Sequence, residues 1–214
     1  MVSTLLFPLR TAYKNDFLDT RAYAFTVTGT VTTLGITGSV TGNGGFNQSA
    51  VSASTFEATA GSQKTKTLNG SITVSANGSS ASQVLPTSSQ STFVDAAYTF
   101  LGYTSTGSYN VPAAPVNIPA TAKVGDSGTA GTFTNYTSSA KITQQGSNVF
   151  SWSLTADTVS TAILNLTQTL ASATGLPAGT LVDSFRVTAD GSVTRIKTVS
   201  SLVGASNGTL TYLY

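Results

Sequence analysis

The amino-acid sequence predicts an all-β fold: antiparallel sheets, arranged as a sandwich or a curved meander, with one short helix at the N-terminus. Two observations carry this. From Ala22 onward apolar residues recur at alternate positions through most of the 214-residue chain, which is the period of a strand with one packed and one wet face. The residues between them are largely serine and threonine, and charged residues make up only 8 %. Threonine's branched Cβ suits the pleat while its hydroxyl solvates the exposed face. Apolar residues at 40 % suffice for a core, so the composition is not that of a disordered chain.

The start of the chain is the exception to period two. Leu9, Ala12, Tyr13 and Phe17 repeat near helical period on one face, and Pro8 suits a first-turn position. Lys14, Asn15, Asp16 and Asp19 fall off that stripe, so a helix over about residues 5–17 is expected. Next, Phe25, Val27, Gly29 and Val31 alternate with threonines, and Leu34, Ile36, Gly38 and Val40 repeat the pattern. Asn43-Gly44-Gly45 reads as a turn. Val51 to Ala58 and Lys64 to Ala76 form the next pair, with Ile72, Val74 and Ala76 inward, and a polar loop follows from Asn77 to Ser82.

Thr92 to Tyr103 reads as one strand covered on both sides, with Tyr98 and Phe100 on one face and Leu101 and Tyr103 on the other. The N-terminal helix is a candidate cover. Pro112, Pro115 and Pro119 then mark an extended edge segment or linker, because proline donates nothing to a ladder. That segment divides the expected organisation into residues 1–110 (helix plus a first β unit) and 111–214 (a second β unit), separate or packed as one domain. The second half reads as an antiparallel meander: Phe133 to Tyr136, Lys141 to Gln145, Val149 to Thr155, Thr161 to Leu170, Thr180 to Thr188, Val193 to Val199 and Thr209 to Leu213. Ala189-Asp190-Gly191 supplies a hairpin turn.

Several chemistries drop out. The chain contains no histidine and no cysteine, so a Ser-His-Asp triad, a Cys-His dyad and a His/Cys zinc site are excluded. Gly125-Asp126-Ser127-Gly128 has the look of a serine-protease nucleophile but no base to activate it, and reads as a tight turn. Ser62-x-Lys64 and Ser139-x-Lys141 are the remaining nucleophile–base pairings, in ordinary polar sequence with nothing to desolvate the amine. Of the eight acids, most fall at turns or element ends; a glycosidase would need two of them converging in a cleft. Lys64-Thr65-Lys66 and Arg195-x-Lys197 are too sparse for a phosphate track, so no nucleic acid is expected, and both read as solvated strand faces. No metal or other cofactor is implied. No apolar stretch reaches the length of a membrane-spanning helix, and the first residues lack a basic signal-peptide region. Tyr98, Phe100, Leu101, Tyr103 and Tyr109 are the candidate binding residues, aromatic or aliphatic groups on or beside the two-faced strand.

Four segments carry a family resemblance: Ser3 to Tyr13, Pro119 to Gly128, Leu154 to Ile163 and Phe185 to Gly191. In these the chain resembles uncharacterised lipoproteins of the β- and γ-proteobacterial cell envelope. Members begin with a lipoprotein signal and a lipidated cysteine; Met1 stands in that place here. The resemblance implies an envelope or extracellular location and a lipid anchor preceding this chain, and it implies no activity. The expected function is a non-enzymatic surface, structural or binding role. Alternatives are a self-assembling filament or surface-array subunit associating through strand edges, an apolar-ligand carrier, and a glycoside hydrolase using an acid pair.

Overall fold

The computed structural model describes residues 5–204 and 206–214. Residues 1–4, of which Ser3 and Thr4 open the first resemblance segment, and Ala205 lie outside the described residues. Helix α1 (Leu9–Leu18) is followed by β1 (Tyr23–Thr33), β2 (Ile36–Gln48), β3 (Ser52–Phe56), β4 (Thr59–Ala76), β5 (Ser79–Val94), β6 (Phe100–Ser105) and β7 (Ser108–Pro112). Then come β8 (Ser127–Tyr136), β9 (Gln144–Ala156), β10 (Thr161–Ser172), β11 (Pro177–Thr188), β12 (Val193–Leu202) and β13 (Ser206–Leu213). All pairings are antiparallel, in the order β2-β1-β13-β12-β11-β10-β9-β8-β7-β6-β5-β4-β3. The further pairing of β2 with β4, from Ser39↔Ser75 to Gln48↔Lys66, joins the first strand of that order to the last but one.

The expected sandwich or open meander is therefore corrected to a closed barrel of twelve strands. Only β3 stands outside the ring, continuing along the β4 edge past the end of β2. Closure pairs the edges that a low-charge open sheet would leave exposed. Glycines permit it. Gly29, Gly42, Gly44 and Gly70 lie where β1, β2 and β4 coil tightly; a Cβ on Gly29 would sit 2.0 Å from the Thr209 carbonyl oxygen, and one on Gly44 2.1 Å from that of Asn69. This also corrects the expected turn at Asn43-Gly44-Gly45, which is mid-strand in β2: these glycines serve close approach, not chain reversal. The polar loop expected from Asn77 to Ser82 is likewise mostly strand, because the Asn77-Gly78 turn is two residues long and β5 begins at Ser79.

Along β1, Phe25 and Val27 are buried while Thr26, Thr28 and Thr30 point the other way. Outside, hydroxyls pair across strands: Thr65 with Ser91, Thr73 with Ser82 and Ser75 with Ser80, each at 2.8 Å. Inside, the core gathers at one end around α1. Phe7 exchanges backbone hydrogen bonds with Ala122 at 2.9 and 3.0 Å, and Phe7, Leu9 and Ala12 bury against Val116, Phe133, Leu154, Leu164, Phe185 and Val187. Asn15 Nδ2 donates to the Gly191 carbonyl at 2.8 Å and Arg10 to that of Ile118 at 3.2 Å. The helix thus plugs one end of the barrel, tied by the β11–β12 hairpin and the segment between β7 and β8.

Candidate functional site: the barrel lumen

Beyond the plug the lumen is not filled. One cavity of about 80 Å³ lies against the inner face of α1, walled by Phe100, Tyr103, Phe133, Phe150, Leu166 and Phe185 among others. A second, of about 330 Å³, is lined by Phe46, Leu68, Leu181, Tyr212 and Tyr214 with several serines. Lys66, Gln90, Asp183 and Arg195 line both.

Lys66, Asp183 and Arg195 belong to a charged cluster inside the barrel. Arg195, 4 % exposed on β12, donates from Nη1 to Asp183 Oδ1 at 2.6 Å, and its Nη2 lies 3.9 Å from Asp16 Oδ1. Its guanidinium carbon is 4.5, 4.9 and 5.5 Å from the ring centroids of Phe185, Phe46 and Tyr214, a cation–π cage. Lys66 Nζ pairs with Asp16 Oδ2 at 3.0 Å, and the fully buried Lys64 donates to the Asp16 backbone carbonyl at 3.2 Å. Burial alone would raise the Asp16 pKa, but Lys66, Arg195 and Lys64 together hold it below the usual carboxylate range. Burial pushes the Lys64 ammonium down to about 8, helped by the like charge of Lys66. For Arg195 the burial penalty is outweighed by Asp183, Asp16 and Tyr214, and its pKa is raised.

Several polar atoms in this interior have no protein partner: Arg195 Nε, Tyr13 Oη, Asn148 Oδ1 and both amide atoms of Gln48, which faces Lys66 across the β2–β4 ladder. Buried polar groups are ordinarily paired.

The expected site residues scatter. Phe100 and Tyr103 line the inner cavity together, contrary to the expectation that they lie on opposite faces. The register between β5 and β6 slips so that Phe93 faces Gly102 and Val94 faces Phe100, leaving Leu101 as the extra residue of a bulge. Leu101 itself is half-buried. The strand expected across Thr92 to Tyr103 is in fact two, broken at Asp95–Thr99, where the Asp95 carboxylate accepts from the backbone N–H groups of Ala97 and Thr99. Tyr98 sits in that turn, edge-on to Phe17 with centroids 6.1 Å apart, and together with Phe100 lines a groove of about 400 Å³ beside Arg10 and Ile118. Tyr109 points outward, stacked on Phe56 at 5.0 Å with its hydroxyl donating to Glu57 at 2.7 Å.

Residues expected on solvated faces prove central. Lys64, Lys66 and Arg195 point into the barrel, and Asp16 joins the inner face of the helix rather than falling off it. Their signal was parity: counting back by twos from the inward Ile72 and Val74 reaches Lys66 and Lys64 on β4. Asp16 lies three residues on from Tyr13, on the same helical face. Of Gly125-Asp126-Ser127-Gly128 only the first half is turn, with Gly125 at φ +99° and Asp126 Oδ2 accepting from the Lys123 N–H at 2.8 Å; Ser127 and Gly128 open β8. Two carboxylates, Asp16 and Asp183, do meet in the lumen, bridged by Arg195. Among the described residues, no helix is long and apolar enough to cross a membrane. No family model, curated protein or solved structure matches this chain.

Proposed function

We propose that this protein is a non-enzymatic binding barrel of the bacterial cell envelope or exterior, holding a small ligand in its lumen. The observation that carries the reading is Arg195: a guanidinium 4 % exposed, caged by three rings, forming part of the wall of two cavities, with its Nε–H unpaired. The lumen also matches the general form of ligand sites, an apolar concavity with a few convergent polar groups. The outward strand positions support a barrel that faces water rather than one inserted in a bilayer by its strands. They carry threonine and serine where a membrane-spanning barrel presents an apolar band.

The test uses N-phenyl-1-naphthylamine, an uncharged dye that fluoresces in apolar sites. Saturable binding at one dye per protein is expected, abolished by Leu181→Trp, which fills the larger cavity. Absence of dye binding by the folded wild-type protein overturns the proposal.

A further inference from the structure

We infer that the lumen's ligand is an amphiphile with a single negative charge, its anionic head at Arg195 and its apolar body along the ring-lined wall. This rests on the lumen-binding reading above and names its ligand class.

Charge is the first argument. The cluster holds three cations, Lys64, Lys66 and Arg195, against two carboxylates, Asp16 and Asp183. The neighbouring Arg21 and Asp19 neutralise each other at 2.9 Å. One positive charge is left over inside a barrel, where an unbalanced charge is costly. A bound monoanion would balance it.

Hydrogen bonding is the second. Arg195 and Lys66 each border both cavities, and the Lys66 ammonium, with one bond to Asp16, has further N–H groups to give. A guanidinium and an ammonium on one wall, beside surplus positive charge, fit an oxyanion such as a carboxylate. The third argument is the wall itself. Phe100, Phe133, Phe150, Leu166 and Phe185 offer nothing to a hydrated inorganic ion but bury a hydrocarbon chain favourably.

The experiment displaces N-phenyl-1-naphthylamine from the full chain with decanoate, decan-1-ol, decyltrimethylammonium and acetate, at pH 7 and fixed ionic strength. Decanoate is expected to displace the dye at least about tenfold more tightly than any of the other three, the scale of one charge-assisted contact. Lys66→Gln, which removes the surplus charge while leaving Arg195 paired, is expected to bring decanoate down to the level of decan-1-ol. Arg195→Gln is expected to do the same, with circular dichroism used to check its fold. Equal displacement by decanoate and decan-1-ol, or tighter displacement by decyltrimethylammonium, overturns the charge assignment while leaving the lumen as a binding site. Equal displacement by acetate overturns the amphiphile in favour of a small anion. Unchanged decanoate preference in Lys66→Gln also overturns the inference. Failure of the dye itself to bind overturns the lumen reading, a separate result.

Discussion

Arg195 and Asp183 share a 2.6 Å charge-assisted hydrogen bond inside the barrel, with Thr198 Oγ1 donating to the same carboxylate oxygen at 2.5 Å. The arginine side chain is 3 % exposed and the aspartate 25 %, so the pair is largely withdrawn from water. Losing one partner of such a pair strands the other charge, whereas losing both does not. Asp183→Asn is expected to destabilise the fold by about 2–4 kcal/mol. The double variant Asp183→Asn/Arg195→Met is expected to cost less than the two single changes added together. Urea unfolding of the three variants at pH 7 measures both; strict additivity would mean that the two side chains do not interact.

Acid should unfold the protein through its carboxylates. Burial works to raise the Asp19 pKa, but hydrogen bonds from Arg21 and Tyr23 overcome it and bring the group to about 2. Asp16 is also lowered, by Lys66, Arg195 and Lys64 against its burial. An unfolded aspartate titrates near about 3.9. A depressed folded pKa contributes stability that is complete above the unfolded value and lost as pH falls through the folded one. Stability should hold down to about pH 4 and fall from there toward about pH 2. Asp19→Asn should shallow that limb; thermal melts across this range that match the wild type would refute the assignment.

Lys64 acts in the opposite direction. Its ammonium is wholly buried, faces Asp16, Lys66, Asp19 and Arg195, and is pushed down to about 8. The unfolded lysine titrates near about 10.4. Between those values the unfolded chain binds more protons than the folded one, so stability rises with pH across this interval. Below about pH 8 the burial penalty is present in full. Lys64→Met should raise stability at pH 7 by about 1–3 kcal/mol and flatten the rise between about pH 8 and 10. Denaturant titrations stepped across that interval from pH 7 upward check both effects.

The sequence disclosed much of the strand content and little of how the strands close. Alternation located β1, β9, β10 and β11 because each has one clean apolar face. The barrel stayed hidden because closure depends on the β2–β4 pairing, a contact between segments with no local signature, and on glycines that in isolation read as turn formers. The site was obscured for a related reason. Lys64, Lys66 and Arg195 are charged, and a charged residue on a strand is usually solvated. Only the parity of Ile72 and Val74, carried back along β4, contradicts that, and parity fails wherever a bulge intervenes. Leu101 is such a case: one extra residue in β6 moved Phe100 and Tyr103 onto a common face.

The glycine explanation of closure makes its own prediction. Gly29 lies opposite Leu210 and Val40 in the ladders of β1, and a methyl group there would meet the Thr209 carbonyl oxygen at 2.0 Å and the Leu210 Cα at 3.0 Å. Both are backbone atoms, so no rotamer change relieves the clash; β1 and β13 would have to separate. Gly45 in β2 offers the contrast. It is also within a strand, yet a methyl there first meets the Asn69 side chain at 3.4 Å, an ordinary contact. Gly29→Ala is therefore expected to cost about 3 kcal/mol or more, in the range of severe overpacking. Gly45→Ala should change stability by less than about 0.5 kcal/mol. Equal behaviour of the two variants in urea unfolding would remove close backbone approach as the reason these strands carry glycine.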